Sequence, residues 1–370
     1  MADRTLAELA ASLAPGAPAT ADPTPRSGAA RAAAVLPPVE PLLAAHRVPG
    51  ASLALLADGE LVEVRALGHR TAGGDAPVTP ATVFQVGSVS KLVTAVGALV
   101  LIGRGQLHLD TDVNAYLKGW QLPADRPVSL RQLLCHVAGL TPTGSTGHPR
   151  GGPVPTLSDV LRGRGVPTGP VRALDAPDEV AVERNSHFVV VQQLMEDVTA
   201  TPFADLMAEL VFGPAGMTGS SFDQSFPETS GRPVAVGHDE RGEPLPGGWQ
   251  VRTDLAAAGL WSTATDLAQL VREIHVAYRG GPALLSQESA VAQLTAGPGG
   301  IFGLGCMVDR VEGRAGARVE FTHRGRVAGY HALAAGRVPD GSGLVLLTNG
   351  DQGHEVVSLL ASDTALTEEM

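Results

Sequence analysis

The chain has 370 residues, an apolar share of 44% and 18% charged residues, so it is long enough to bury a large core and has the composition of a globular protein. A net charge of -11 lacks the basic footprint that phosphate binding needs and argues against a nucleic-acid partner. Two cysteines, Cys135 and Cys306, without CxxC or Cys/His spacing argue against a disulfide framework or a zinc site, and no apolar run of about 18 residues is present to span a membrane.

The N-terminus, Met1-Ala-Asp-Arg-Thr-Leu-Ala-Glu-Leu-Ala, carries acids early and has no basic region followed by an apolar one, which predicts a cytoplasmic protein. Residues 1–32 join a short amphipathic segment (Leu6, Leu9, Leu13) to a stretch rich in Ala, Pro, Gly and Thr, predicting a flexible extension. From Ala33 a helical pattern (Val35, Val39, Leu42, Leu43) leads to Val48-Pro49-Gly50. Two strand-like runs, Ala51 to Leu56 and Leu61 to Leu67, then flank Asp58-Gly59, a hairpin signal. A short strand, Thr82 to Val86, precedes a helix with apolar positions Leu92, Val93, Ala95, Val96, Leu99 and Val100.

Helices are predicted over Val128 to Leu140, Ser186 to Val198, Pro202 to Val211 and Thr265 to Tyr278, with residues 141–170 rich in loop formers. After Ile301 the pattern returns to strands at Gly303 to Val311, Arg318 to His323, Tyr330 to Gly336 and Gly343 to Thr348, and a helix at His354 to Ser362 closes the chain. This order predicts an α/β fold whose sheet is built from both ends of the chain, about 33–87 and 295–365, with a helical subdomain at about 88–294 inserted and a cleft at the junction.

Ser88 and Lys91 stand at the start of the helix after the short strand. Their spacing puts both on one face, with an amine beside a hydroxyl at the positive end of the helix dipole. On these residues alone, an N-cap serine with its lysine in solvent stays open beside a nucleophile with an adjacent base. Near the C-terminus, His323 is followed two residues later by Gly325, where a missing side chain lets a second backbone approach the strand. The N–H of Arg326 is then a candidate to hold a carbonyl oxygen together with the N–H of Ser88. His323 by itself is also consistent with a structural strand residue. Asp110-x-Asp112-x-Asn114 opens like a calcium loop, but Ala115 and Gln121 replace the required glycine and glutamate, so a turn and cap are expected.

Gly87-Ser88-x-x-Lys91, Gly105-Gln-Leu-His-Leu-Asp110, Leu133-Leu-x-His-x-x-Gly-Leu140, Pro214-Ala-Gly-Met217, Trp261-Ser-Thr-Ala-x-Asp266, Gly303-Leu-Gly305, His323-x-Gly325 and Leu347-Thr-Asn349 follow one another in an order that resembles the serine β-lactamase superfamily. The nearest branch holds class C β-lactamases, serine D-peptidases and related esterases and acyltransferases. The resemblance covers about residues 33–360 and implies a β-lactamase/transpeptidase-like fold, an antiparallel sheet flanked by helices plus an all-helical subdomain. It also implies Ser88 as nucleophile, Lys91 as adjacent base or charge stabiliser, and His323 in the place of the lysine of the K-T-G triad.

The chain departs from the family at its Tyr-x-Asn motif. Laying Asn185 on the motif's asparagine places Glu183 on its tyrosine. A glutamate in salt-bridge reach of Lys91 would hold the amine protonated and leave the carboxylate as general base. Solvent exposure of Glu183 through a different register is the competing expectation. Arg184, Arg324 and Arg326 suggest an anionic group on the substrate if any of them points into the cleft, and exposed arginines otherwise. The expected function is an acyl-enzyme hydrolase or acyltransferase acting on a small-molecule acyl substrate in specialised metabolism, without metal or cofactor. Non-covalent acid/base chemistry at Glu183 and a catalytically silent binding protein are the alternatives, and the oligomeric state is left open.

Overall fold

Asp58 and Gly59 both take left-handed backbone angles, φ 55° and 75°, the tight turn that matches the twist of two antiparallel strands. They join β1 (Gly50–Ala57) to β2 (Glu60–Gly68). The computed structural model describes residues 38–143, 147–313 and 316–363, so the extension expected at residues 1–32 lies outside it. From the other end of the chain come β3 (Met307–Gly313), β4 (Gly316–Val327), β5 (Tyr330–Val338) and β6 (Gly343–Thr348). The six strands form one antiparallel sheet in the order β2-β1-β6-β5-β4-β3, in which the N-terminal hairpin meets the C-terminal strands through β1 and β6.

The side chains of β5 and β6 are buried throughout, because helices cover both faces of the sheet. On one face Leu53, Leu55, Leu333, Leu344 and Leu346 pack against α1 (Val39–Ala45) and the C-terminal helix at Gly353–Asp363. Neighbouring residues in the strands, such as Leu347, Ala334 and Phe321, face the larger core on the other side. That core is centred on α2 (Val89–Gly103), whose residues are all buried except Val100, Ile102 and Gly103. A helix apolar all round is an interior helix. Beside it stand α3 (Asn185–Thr199) and the short α4 (Leu255–Ala258). The helix α5 (Ala264–Tyr278), which the sequence division places in the helical part, packs on β1, β5 and β6.

Several signature segments hold the fold together. Val86 N–H donates to Leu260 O at 3.1 Å, and Phe84 and Gln85 pair with Ser262 and Trp261, which fixes the approach to Ser88. Thr263 caps α5, and Asp266 accepts from Gly219 N–H at 2.7 Å and Ser220 Oγ at 2.8 Å, just beyond the Pro214–Met217 turn. Asp112 accepts from Asn114 N–H at 3.2 Å, the expected turn and cap. The helix expected over Val128 to Leu140 is shorter, Leu130–Leu134, because His136 takes φ 59° and turns the chain out of the helix. Among the described residues no helix is long and apolar enough to cross a membrane.

Candidate active site

Ser88 sits at the N-cap of α2 with half-buried exposure, yet its hydroxyl caps no helix N–H. Ser90 does the local structural work, donating to Gly87 O at 2.6 Å and accepting from Leu260 N–H at 3.0 Å. Ser88 Oγ lies instead 2.7 Å from Lys91 Nζ, one turn on. Lys91 is completely buried, so the solvated lysine of the simpler reading is not what forms. Its Nζ is also 3.0 Å from Asn185 Oδ1, 3.2 Å from Ala257 O and 3.0 Å from Glu183 Oε1. The last three are obligate acceptors, and only an ammonium has three hydrogens to give them. Burial pulls Lys91 below the ordinary lysine range, while the carboxylates of Glu183 and Asp254 oppose that pull.

Glu183 stands on the extended segment just before α3, whose N-cap Arg184 has φ -134°. Its side chain is 40% exposed, so the carboxylate contacts both the buried ammonium and the open cleft. Desolvation works to raise its pKa, but the charge of Lys91, with hydrogen bonds from Lys91 and Ser88, outweighs it and holds Glu183 below the usual glutamate value. It is therefore ionised at neutral pH. Arg184 is engaged in an ion pair with Asp178. Asn185 opens α3 and bridges Lys91 to Asp254, donating from Nδ2 to Asp254 Oδ2 at 3.0 Å.

The third wall is the edge of β4. Pairing with β3 reaches only Met307 opposite Thr322, so His323 to Val327 have one open side. A Cβ on Gly325 would stand 1.9 Å from Val86 O and 3.2 Å from Ser88 N, and one on Gly87 would stand 2.7 Å from Arg326 N. Two glycines therefore let the strand edge lie directly against the backbone of Ser88. The β4–β5 turn holds only Ala328 and Gly329, so Val327 and Tyr330 close it as a bonded pair, and the alternate residue Arg326 turns its N–H to the open side.

The same alternation corrects the expectation for the arginines. Arg324 and Arg326 are registered with Leu333 and His331, and Leu333 packs on the face that carries α1 and the C-terminal helix. Their side chains are exposed on that face, away from Ser88, so Arg326 reaches the cleft through its backbone alone. His323, registered with Ala334, lies on the Ser88 side. Its Nδ1 is 2.9 Å from Arg324 O, which can only accept, so Nδ1 carries the proton and Nε2 presents a lone pair. Nε2 is buried without a hydrogen-bond partner, 4.0 Å from Glu183 Oε1. Desolvation depresses the His323 pKa, which keeps the ring neutral.

The structure thus brings Ser88, Lys91, Glu183, Asn185, His323 and Gly325 to one place. A β-lactamase family description matches residues 38–368. The chain belongs to the β-lactamase family. Its sequence is similar to esterase EstB of Burkholderia gladioli, with 27% identity over 336 residues, 77% of this chain and 82% of the esterase. It is 32% identical to penicillin-binding protein 4 of Amycolatopsis lactamdurans over 181 residues, 46% of this chain and 44% of that protein. The chain spans less than half the length of that protein and of other first-ranking relatives, a Bacillus subtilis penicillin-binding protein and a Gluconobacter oxydans D-aminopeptidase. Among solved structures, the octameric penicillin-binding protein homologue of Pyrococcus abyssi superposes with a TM-score of 0.70 at 23% identity, covering 87% of this chain and 75% of that one.

Within this β-lactamase family member, several site residues carry no sequence signal. Ala257 acts through its carbonyl, which any residue possesses. Asp254 and Arg252, an acidic and a basic residue two apart, drew no reading from the sequence, yet both are buried. A second buried pair adjoins the site: His136 and His187 face each other Nδ1 to Nδ1 at 2.9 Å, and the Phe302 ring lies 4.9 Å from His136 and 6.5 Å from His323.

Proposed function

We propose that this chain is a serine hydrolase working through an acyl-enzyme, in which Ser88 is the nucleophile and Glu183, not Lys91, is the general base. The observation that carries this reading is the setting of Lys91 Nζ, with three obligate acceptors besides the Ser88 hydroxyl. An ammonium so engaged has no lone pair to accept a proton, whereas Glu183 is ionised beside both Ser88 and the cleft.

Ser88 Oγ adds to the carbonyl carbon of an ester or amide while its proton passes to Glu183. The Ser88 and Arg326 N–H groups stabilise the oxyanion, and Lys91 stabilises the developing alkoxide. The carbon–heteroatom bond then breaks as Glu183 returns the proton to the leaving group, with the His323 Nε2 lone pair available to accept a hydrogen bond from that group. Water, or a second small nucleophile, attacks the acyl-serine with Glu183 again taking the proton, and Ser88 leaves with it. Among the described residues, Lys91 is matched by Glu183 and Arg184 by Asp178, which favours a small substrate without a carboxylate at the scissile bond. The similarity to an esterase over 77% of this chain supports ester cleavage.

Labelling tests this reading. An acyl-fluorophosphonate should add one mass equivalent to the intact protein and none to Ser88→Ala. Labelling that survives Ser88→Ala contradicts it. The exposure of Glu183 also favours a second reading, proton transfer without a covalent intermediate. That reading predicts that Ser88→Ala retains turnover while Glu183→Gln abolishes it, whereas the acyl-enzyme reading predicts loss in both, by at least about 1,000-fold.

A further inference from the structure

Asp254 is fully buried, and its carboxylate is held by Arg252 in a two-pronged pair, Nε to Oδ1 at 3.0 Å and Nη2 to Oδ2 at 2.9 Å. It stands at the N-cap of α4, where an aspartate ordinarily accepts from the first N–H groups of its helix. Here no such bond forms, and Ala256 N–H donates to Gln192 Oε1 at 3.2 Å instead. The carboxylate is turned to Asn185, whose Nδ2 donates to it, and this leaves Asn185 Oδ1 facing Lys91 Nζ at 3.0 Å.

An asparagine amide is nearly symmetric in shape, so its orientation is set by its partners. A carboxylate accepts only and an ammonium donates only. With Asp254 on one side and Lys91 on the other, one orientation gives two good bonds and the other gives two repulsive contacts. Arg252 fixes the carboxylate in plane, since a guanidinium fork binds both oxygens. The following residues carry the second contact, because α4 presents Ala257 O to the same Nζ at 3.2 Å.

We propose that Asp254, clamped by Arg252, is a positioning residue that orients the Asn185 amide and thereby holds Lys91 as the ammonium that the acylation step requires. The proposal rests on the reading of Lys91 as charge stabiliser and Glu183 as base. It adds a third layer behind Ser88: an ion pair outside the reach of substrate that sets the charge of the group beside the nucleophile. A purely structural role would make the same pair a brace for residues 252–254, with no effect on Lys91.

The test is Asp254→Asn, measured in the full chain. An amide at this position offers both donor and acceptor, so it no longer dictates how Asn185 turns, and it removes a negative charge that supports Lys91. The expected result is a fall in kcat of about 30-fold with KM changed less than threefold, as for a lost orientation effect. The alkaline limb of the pH profile should move to lower pH. The chain has only two lysines, Lys91 and the exposed Lys118, so the Lys91 side-chain nitrogen can be followed directly by NMR and should titrate at lower pH than in the parent protein. The exchange Asn185→Asp with Asp254→Asn returns a carboxylate to Lys91 and an amide donor behind it, and should restore much of kcat. A parental Lys91 titration in Asp254→Asn overturns the proposal, and so does a lower unfolding temperature with an unchanged pH profile in the folded protein. An exchange variant as slow as the single variant overturns it as well. Because the lysine titration is read without substrate, this failure is distinct from failure of the acyl-enzyme reading, which appears as turnover by Ser88→Ala.

Discussion

Two buried polar clusters are built from signature residues of this chain, one around Lys91 and one around Asn349, and they differ in charge and closure. Asn349 accepts from Gly50 N–H at 2.8 Å and donates to His69 O and Arg70 O at 3.3 and 3.1 Å. Its own carbonyl oxygen lies 2.7 Å from His238 Nδ1, and His238 Nε2 accepts from Ala72 N–H at 3.0 Å. Burial keeps His238 neutral, and the cluster ties the end of β6 to the start of β1 and the chain after β2. Around Lys91 the groups are ionised, and one of them, Glu183, opens to the cleft. A closed neutral network in which each bond is matched specifies structure, whereas a charged network with one exposed member and an unpartnered histidine nitrogen is arranged for a proton or a ligand to come and go.

The largest effect separating the clusters is expected at Gly325. A Cβ there meets Val86 O at 1.9 Å, so Gly325→Ala must move the β4 edge away from Ser88, and kcat should drop by about 100- to 1,000-fold, the cost of losing one oxyanion donor. The folded fraction, judged by circular dichroism, should stay near parental. Asn349→Ala should do the reverse. It strands the buried Gly50 N–H and leaves His69 O without its donor, whereas Arg70 O keeps Val236 N–H, so urea unfolding should show a loss of about 2 kcal/mol while kcat of the folded protein changes less than twofold.

To the acid sensitivity that the buried, neutral His238 and His323 give, the His136–His187 pair is predicted to add more. Burial depresses both pKa values, that of His187 to about 3, with Arg184 and Lys91 adding to it and Asp178 and Glu183 opposing. An imidazole whose folded pKa lies below its unfolded value of about 6.5 takes up its proton on unfolding, so this stabilisation is complete above pH 6.5 and is lost as pH falls toward 3. Unfolding temperatures measured between pH 7 and pH 4 should fall steadily, and a flat profile contradicts this placement. The smallest effects are expected at Arg324 and Arg326. Their side chains lie on the far face, so alanine at either position should leave KM for neutral and for carboxylated esters within about twofold.

What was legible in the sequence follows the same division. Ser88-x-x-Lys91 and His323-x-Gly325 are readable because both match the ordered family signatures; helical spacing alone puts Ser88 and Lys91 on one face but leaves a helix cap open. Glu183 was readable through its distance from Asn185. The arginines were misplaced because strand alternation sends residues 324 and 326 to the face opposite residue 323. The helix expected through Leu140 ends early because a left-handed histidine at 136 leaves no mark in hydrophobic periodicity. Arg252 and Asp254 were not legible because burial, not composition, turns a loop acid and base into part of the site. Of the eight ordered signatures, those near Asp266 and Asn349 fix backbone geometry, so a signature's recurrence in the chain does not by itself mark chemistry.

Which group beside Ser88 holds the proton in the resting protein decides between Glu183 and Lys91 as the base. Side-chain NMR of lysine-labelled protein reads this directly, since Lys91 and Lys118 are the only lysines. The predicted result is a Lys91 nitrogen that is an ammonium at pH 7 and titrates at lower pH in Glu183→Gln than in the parent protein. A neutral Lys91 amine at pH 7 with Glu183 intact would contradict the assignment of Glu183 as base and return that role to Lys91.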